Sequence, residues 1–562
     1  MGFRRSLTAG VVAALSMACG SSQEAPSPIE PTVPPPVLAA PTAPLSTVVN
    51  RNWGWVAPDP ANPRYLRTGG ASGQPFSIAS YGTLVGCGFS ADQVRRLKER
   101  GATYVVLWYQ WSGCNREEPN WFERPWTGPW RVACDPRDAT QRSRCPDHPL
   151  WDLSQFDEQY WRTLDAILTA AEDDRDGTNR KLMVRVHLFA RQEFGIGRDD
   201  NPFRGVNNVN GVRSYLAESE ARDPDLRYFA TAAAECEESC TEPSKSLFAY
   251  QQAYVRKLLD VTHGHGNVVY ELMNEPPVAG NDPTGGSFAY FTEYWSWFVK
   301  DYLASHYGVA RLVSQDEQNK SFRIPNVDIG DARWWVLDIN TPQAEFLTSL
   351  DDLASAIRTS YLSNTKVTEL DEFANAVEDD ARLRQEAWMI VMSGGNFHFE
   401  DPCDPEYRAC DEVDSKPWVP VRSIGTFKTV SGWRFDRARP VHRETPGERW
   451  FYWMLQDGPP FDTVGFAAAG IQDHVGYLAH HTKQACHGEG LGSDLPAVPE
   501  GASEYVARLW DAAGTDYIKG AAGTPMEYRF HWSGGIFDWC QTPFQTQILS
   551  AEDVVIHVHA QR

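Results

Sequence analysis

The run Asn267-Val-Val-Tyr-Glu-Leu-Met-Asn274-Glu275-Pro276-Pro277 closes an apolar stretch with an amide, a carboxylic acid and two prolines. A carboxyl group at the edge of an apolar element can give or take a proton, or attack an electrophile, according to the protonation state its surroundings favour. Val268, Val269, Leu272 and Met273 suit a buried strand. Pro276 has no amide hydrogen to donate to a sheet, so the strand must stop there. Glu275 is therefore expected at the C-terminal end of a buried strand, where a parallel α/β barrel carries its chemistry. The plainer alternative is a salt-bridged strand end.

The elements that must position this acid alternate between strand and helix. Phe76–Leu84 reads as a first strand, and Ser90 caps a helix that runs to Arg100 and stops at Gly101. Ala102–Trp108 is a second strand, followed by a long insert and a helix over Ser154–Glu172. Lys181–Phe189 is a third, and Leu247–Val261 repeats apolar residues at helical spacing. The strand that ends at Glu275 is the fourth. Further on come a helix over Phe288–Ser305, strands at Ala310–Gln315 and near Trp334–Ile339, and a helix near Leu353–Tyr361. A seventh strand at Lys366–Glu372, a helix at Ala381–Trp388 and an eighth strand at Met389–Phe397 complete the series. Eight strands separated by helices imply a closed α/β barrel, the (β/α)8 TIM-barrel fold.

On these residues the chain resembles the large clan of retaining (β/α)8 glycoside hydrolases, which includes cellulases, mannanases and β-galactosidases. Tyr270-Glu271-Leu272-Met273-Asn274-Glu275-Pro276 looks like the clan's fourth-strand signature, and the resemblance spans residues 75–400. It implies that Glu275 is the general acid/base, that Asn274 hydrogen-bonds the sugar 2-hydroxyl, and that a second Glu ends the seventh strand. Thr365-Lys-Val-Thr-Glu-Leu-Asp-Glu372-Phe373 fits, with Glu372 in the nucleophile position and Glu369 and Asp371 as rivals. Simple alternation gives Thr368, Leu370 and Glu372 one face of the strand and Glu369 the other. Two such carboxyls about 5 Å apart would work through a covalent glycosyl-enzyme with net retention.

Other residues surround this pair in the sequence reading. His187, near the end of the third strand, is either a sugar ligand or a satisfied buried histidine. His398, with Phe397 and Phe399, stands where the clan often carries an aromatic platform. Trp111, Trp121, Trp126 and Trp130 crowd the insert after the second strand. They either stack on sugar rings or form a small core stapled by Cys114, Cys134 and Cys145. Asn201-Pro202-Phe203 reads as a turn with a role in the groove. The reaction calls for no cofactor and no metal. No CxxC pair or His-rich cluster accompanies the cysteines.

The bulk properties agree with a carbohydrate partner and exclude nucleic acid. The 562 residues carry 52 Lys and Arg against 74 Asp and Glu, a net charge of −22, whereas phosphates need a basic surface. The N-terminus has Arg4 and Arg5, an apolar run from Val11 to Met17, then Ala18-Cys19-Gly20. That is an export signal, and it resembles a bacterial lipoprotein signal with Cys19 as the acylated residue. The run is too short to span a bilayer. Export would place the protein at the cell surface or in the periplasm through a membrane lipid anchor, or else free in the medium.

Without Cys19, ten of the 11 cysteines remain, an even number. Cys236–Cys240, Cys403–Cys410, Cys134–Cys145, Cys87–Cys114 and Cys486–Cys540 are the pairings considered. Residues 1–19 read as the signal, 20–50 as a Pro-rich tether, 51–415 as the catalytic barrel and 416–562 as a smaller C-terminal β-rich domain. Within the last part, helical spacing appears around Glu448–Leu455 and Glu504–Asp511. Two rivals to a hydrolase keep the same frame: an inactive carbohydrate-binding lipoprotein and a transglycosidase.

Overall fold

The computed structural model describes residues 52–59, 62–68, 75–76, 80–84, 91–100, 102–108, 128–135, 149–178, 181–190, 202–203, 207–211, 247–274, 287–316, 324–333, 366–373, 380–399, 418–431, 438–441, 451–456, 473–478, 492–498, 502–550 and 554–561, with positions 138, 140, 141, 145 and 433. Eight parallel strands close into a barrel. They are β1 (Ser80–Leu84), β2 (Tyr104–Trp108), β3 (Met183–Ala190), β4 (Val268–Asn274), β5 (Leu312–Asp316), β6 (Ile329–Arg333), β7 (Val367–Phe373) and β8 (Asn396–Phe399). Each pairs with the next in parallel, and β8 closes on β1 through Phe399 and Tyr81. The fold is the expected α/β TIM barrel.

Helix α1 (Ala91–Arg100) follows β1, and α2 (Glu158–Glu172) precedes β3. The Asp157 side chain caps α2 by accepting the Gln159 amide at 2.8 Å, which satisfies one of the free donors at the helix start. Tyr160, Trp161, Leu164, Ile167, Leu168 and Ala171 fall on one stripe and are buried. Helices α3 (Leu247–Thr262) and α4 (Ser287–Tyr302) flank β4. A wider turn, Leu303–Tyr307, extends α4 and stops at Gly308, whose φ of 65° is left-handed.

Alternation divides the barrel residues between two environments. Tyr104, Val106, Met183, Val269, Leu312, Ile329 and Val367 form the lower interior cluster. Val105, Leu107, Val184, Val186, Val268, Tyr270 and Leu272 join the layer packed with the helices. The N-terminal segment covers the bottom. Val56 and Leu66 belong to the interior cluster, and Trp53 and Trp55 pack against it. The Val56 amide donates to the Gly266 carbonyl at 3.1 Å and the Ala310 amide to that of Asn52 at 2.9 Å. A Cβ on Gly54 would lie 2.4 Å from the Gly266 backbone, so this approach requires glycine.

Several boundaries differ from the sequence reading. The sixth strand is Ile329–Arg333, ahead of the expected Trp334–Ile339. Helix α5 (Asp380–Met392) absorbs Met389–Met392, which the sequence reading placed in the eighth strand. Ala387–Met392 are all buried, and an apolar run buried on every side has no period to separate helix from strand. The expected helical segments in the C-terminal part are strands, Phe451–Gln456 and Glu504–Asp511. Tyr505, Ala507 and Leu509 face one cluster while Trp510 enters the other, so this strand is buried on both faces. The expected Leu353–Tyr361 helix lies outside the described residues.

A six-stranded antiparallel sheet is built from Ala438–Val441, Phe451–Gln456, Asp473–Leu478, Val554–Gln561, Glu504–Asp511 and Glu527–Phe530, in that spatial order. It meets the barrel through α5 and α6 (Trp418–Ser431). Trp388 Nε1–H donates to the Ala512 carbonyl at 3.2 Å, and Trp510 Nε1–H donates to Ser423 Oγ at 3.1 Å. Phe427 meets both indoles edge-on, at 5.7 and 5.3 Å. The Cys134–Cys145 disulfide is present, and Cys540 is disulfide-bonded. The remaining cysteines of the expected pairs lie outside the described residues.

Candidate active site

Strand β4 carries the first acid's neighbourhood. Asn267 sets its start: the side-chain amide donates to the Leu182 carbonyl at 2.8 Å, and its own carbonyl accepts the Val184 amide at 2.9 Å. β3 and β4 are thereby locked in register, with His187 opposite Glu271 and Ala190 opposite Asn274. Asn274 is the last residue of β4. Glu275 follows it in the chain and lies outside the described residues, as do Trp111 and Cys19.

The interior above the apolar layer is charged. The Glu271 Oε2 atom lies 3.0 Å from Arg185 Nε and 2.9 Å from His187 Nε2, and all three side chains are 1% exposed. Arg185 also lies over the Tyr104 ring, 5.7 Å from its centroid. Buried charge is costly unless paired, and here one carboxylate serves two nitrogen groups. Of the two sequence readings of His187, this geometry is that of the buried histidine. The sequence reading gave Arg185 and Glu271 no role. The available signal was a charged residue in each of two strands on the parity of Met183 and Val269.

Strand β7 contains an irregularity that alters the reading of the second acid. Leu370 pairs with Phe397 and Phe373 with Phe399, so three steps on β7 answer two on β8. One residue is extra, and Asp371 and Glu372 together stand opposite His398. Such a bulge breaks the alternation locally. The shift falls between Leu370 and Phe373, at the two residues Asp371 and Glu372. Val367 belongs to the interior cluster. Glu369 pairs with Asp331 on one side and Asn396 on the other, one layer below the bulge.

The aromatic candidates divide. Trp130 is buried, with Phe203 edge-on at 5.1 Å and Tyr254 at 5.2 Å. It belongs to the core. Phe203, from the expected groove turn, is fully buried in the same cluster. His398 lies on β8, while Trp121 and Trp126 lie outside the described residues. Among the described residues, no group of His, Cys, Asp or Glu is arranged to hold a metal ion.

No protein-family profile matches the sequence, and no curated protein matches it. Solved structures do. The endo-β-1,4-mannanase from Thermotoga petrophila is 11% identical, over 83% of this chain and 92% of that chain, with a TM-score of 0.41. Endo-glycoceramidase II from Rhodococcus sp. is 12% identical over 87% and 98%, with a TM-score of 0.38. A maltogenic α-amylase from Thermotoga neapolitana is 9% identical over 86% and 99%, with a TM-score of 0.42. At that distance the chain's own residues, not its neighbours, carry the assignment of function.

Proposed function

We propose that the protein is an exported glycoside hydrolase that cleaves O-glycosidic bonds of a β-linked glycan or glycoside with net retention. One observation carries the reading: in a closed parallel barrel, the fourth strand ends at Asn274, with Glu275 next in the chain, and Glu372 is the penultimate residue of the seventh strand. The C-terminal strand ends are the catalytic face of such barrels, which supports the reading.

In this reading Glu275 is protonated at rest and gives its proton to the glycosidic oxygen as the bond to the anomeric carbon breaks. The Glu372 carboxylate attacks that carbon and forms a glycosyl ester. The nearby negative charge of Glu372 raises the pKa of Glu275 until the ester removes it. Glu275, now a carboxylate, takes a proton from water, which attacks the anomeric carbon and releases Glu372. Two inversions give retention. Asn274 hydrogen-bonds the 2-hydroxyl of the bound sugar, and His398 and Trp111 contribute to its surroundings. The N-terminal signal supports export, with Cys19 as the point of lipid attachment.

The test is turnover of aryl β-glycosides and β-linked polysaccharides by purified protein. The first-formed anomer is read by NMR, and a 2-fluoro glycoside labels the nucleophile. Retention with the label on Glu372 is expected. No turnover across the panel sinks the proposal, and a label on Glu369 or Asp371 reassigns the nucleophile.

A further inference from the structure

We infer that Arg185, Glu271 and His187 form a buried charge cluster that sets the pH range in which the acids at the barrel mouth work. The inference rests on the glycosidase reading and makes the three positioning residues, acting through Glu275 and Glu372.

Three features point this way. The first is chemical. The layer beneath is filled by Tyr104, Met183, Val269, Leu312, Ile329 and Val367, so apolar side chains suffice to pack this barrel. A buried ion group is seldom the more stable filling, because each charge gives up its hydration. The second is position. Glu271 lies three residues, about 10 Å of strand, before the end of β4 at Asn274. At that range, inside a protein, one unit charge moves a carboxyl pKa by about half to one unit.

The third feature is the field in which the cluster sits. Tyr104 from β2 lies beneath Arg185. Ser314 from β5 pairs with Glu271 and brings no charge. Its register row continues through Ile329 to Val367, and the row two residues further holds Asp316, Asp331 and Glu369, with Asn396 beside it. Arg333 pairs with Asp371, and His398 stands opposite the bulge. Arg185 therefore supplies a permanent positive charge beneath the mouth. Glu271 limits it.

The consequence has a sign. Glu271→Gln removes a negative charge and leaves the cations, so both limbs of the kcat/KM profile should move to lower pH by about half to one unit. Arg185→Met removes a permanent positive charge at similar volume, so both limbs should move the other way by a similar amount. The double variant Arg185→Met/Glu271→Gln should return them close to wild type. A purely structural cluster would lower kcat without moving either limb. The experiment is the pH profile of the full chain and the three variants on one activated glycoside, with thermal unfolding of each.

Opposite shifts, or one shift of the stated sign from whichever single variant folds, support the inference. Unmoved limbs in an active, folded variant overturn it, and so does failure of all three variants to fold. An active wild type with unmoved limbs overturns the cluster's role alone. A wild type inactive on every glycoside overturns the glycosidase reading and this inference with it.

Discussion

Glu275 and Glu372 have the same functional group and different proposed duties, so their substitutions should fail differently. Glu275→Gln should cost about 10²–10⁴-fold in turnover where the leaving group is a sugar hydroxyl needing a proton, and far less with an activated phenolate. A leaving-group series would read this; equal losses on both would remove Glu275 as the acid. Glu372→Gln should abolish turnover on every substrate together with covalent labelling, checked by mass spectrometry of the intact protein. The Asn-Glu-Pro run was legible because proline must end a strand and an acid at that end is uncommon. Glu271 lies in the same run, yet its pairing with Arg185 and His187 depends on which strand lies beside β4. Sequence order does not supply that neighbour.

At the level of elements, the bulge in β7 matters most. Alternation is a property of regular strands, and one extra residue reassigns every side chain beyond it. The start of β4 is stapled by a separate group of charges. His265 contacts Asp165 at 3.0 Å through Nε2 and Glu172 at 3.2 Å through Nδ1. Glu172 also accepts the amides of Gly266 and Asn267.

Burial presses the His265 pKa down, but the two carboxylates outweigh it and hold the value above that of an ordinary histidine. Burial presses the Glu172 pKa up, and its hydrogen bonds with His265 and the two amides prevail and lower it. The stability tied to His265 is thus fully present below its unfolded value near 6.5 and is lost as pH rises through the folded value. That tied to Glu172 is lost at the acid extreme. The melting-temperature gap between wild type and His265→Gln should be widest in mildly acid solution and should narrow as pH rises; a gap that widens would contradict this. Gly54→Ala should destabilise by about 1–3 kcal/mol, measured by chemical denaturation, because a Cβ there meets the Gly266 backbone.

For the whole molecule, one apolar cluster joins the barrel to the C-terminal sheet. Trp388, Phe427, Trp510 and Val555 belong to the same core as Leu164 and Tyr254. Trp388→Ala should therefore cost about 3–5 kcal/mol. The loss should appear in barrel and sheet together, as hydrogen exchange resolved by segment would show. Exchange raised in the sheet alone would mean the two parts are energetically separate. Cys19→Ser should move the protein from the membrane fraction to the soluble export; unchanged fractionation would end the proposed lipid attachment. The texture change near residue 415 was legible as lost helical spacing, but its strand at Glu504 was not, because burial on both faces erases a period of two.

By itself, the sequence determined the barrel class, the rhythm of its strands and helices, and the run that puts an acid after the fourth strand. These follow from local causes: β-branched apolar runs, helical stripes, a cap at Asp157 and a proline that ends pairing. Only the tertiary structure decided that the register of β7 on β8 shifts between Leu370 and Phe373, that His187 sits on Glu271 with Arg185, and that Trp130 and Phe203 are core. Those outcomes depend on pairing between segments far apart in the chain. Register across strands is set by the summed packing of the closed barrel, which no single stretch of sequence contains.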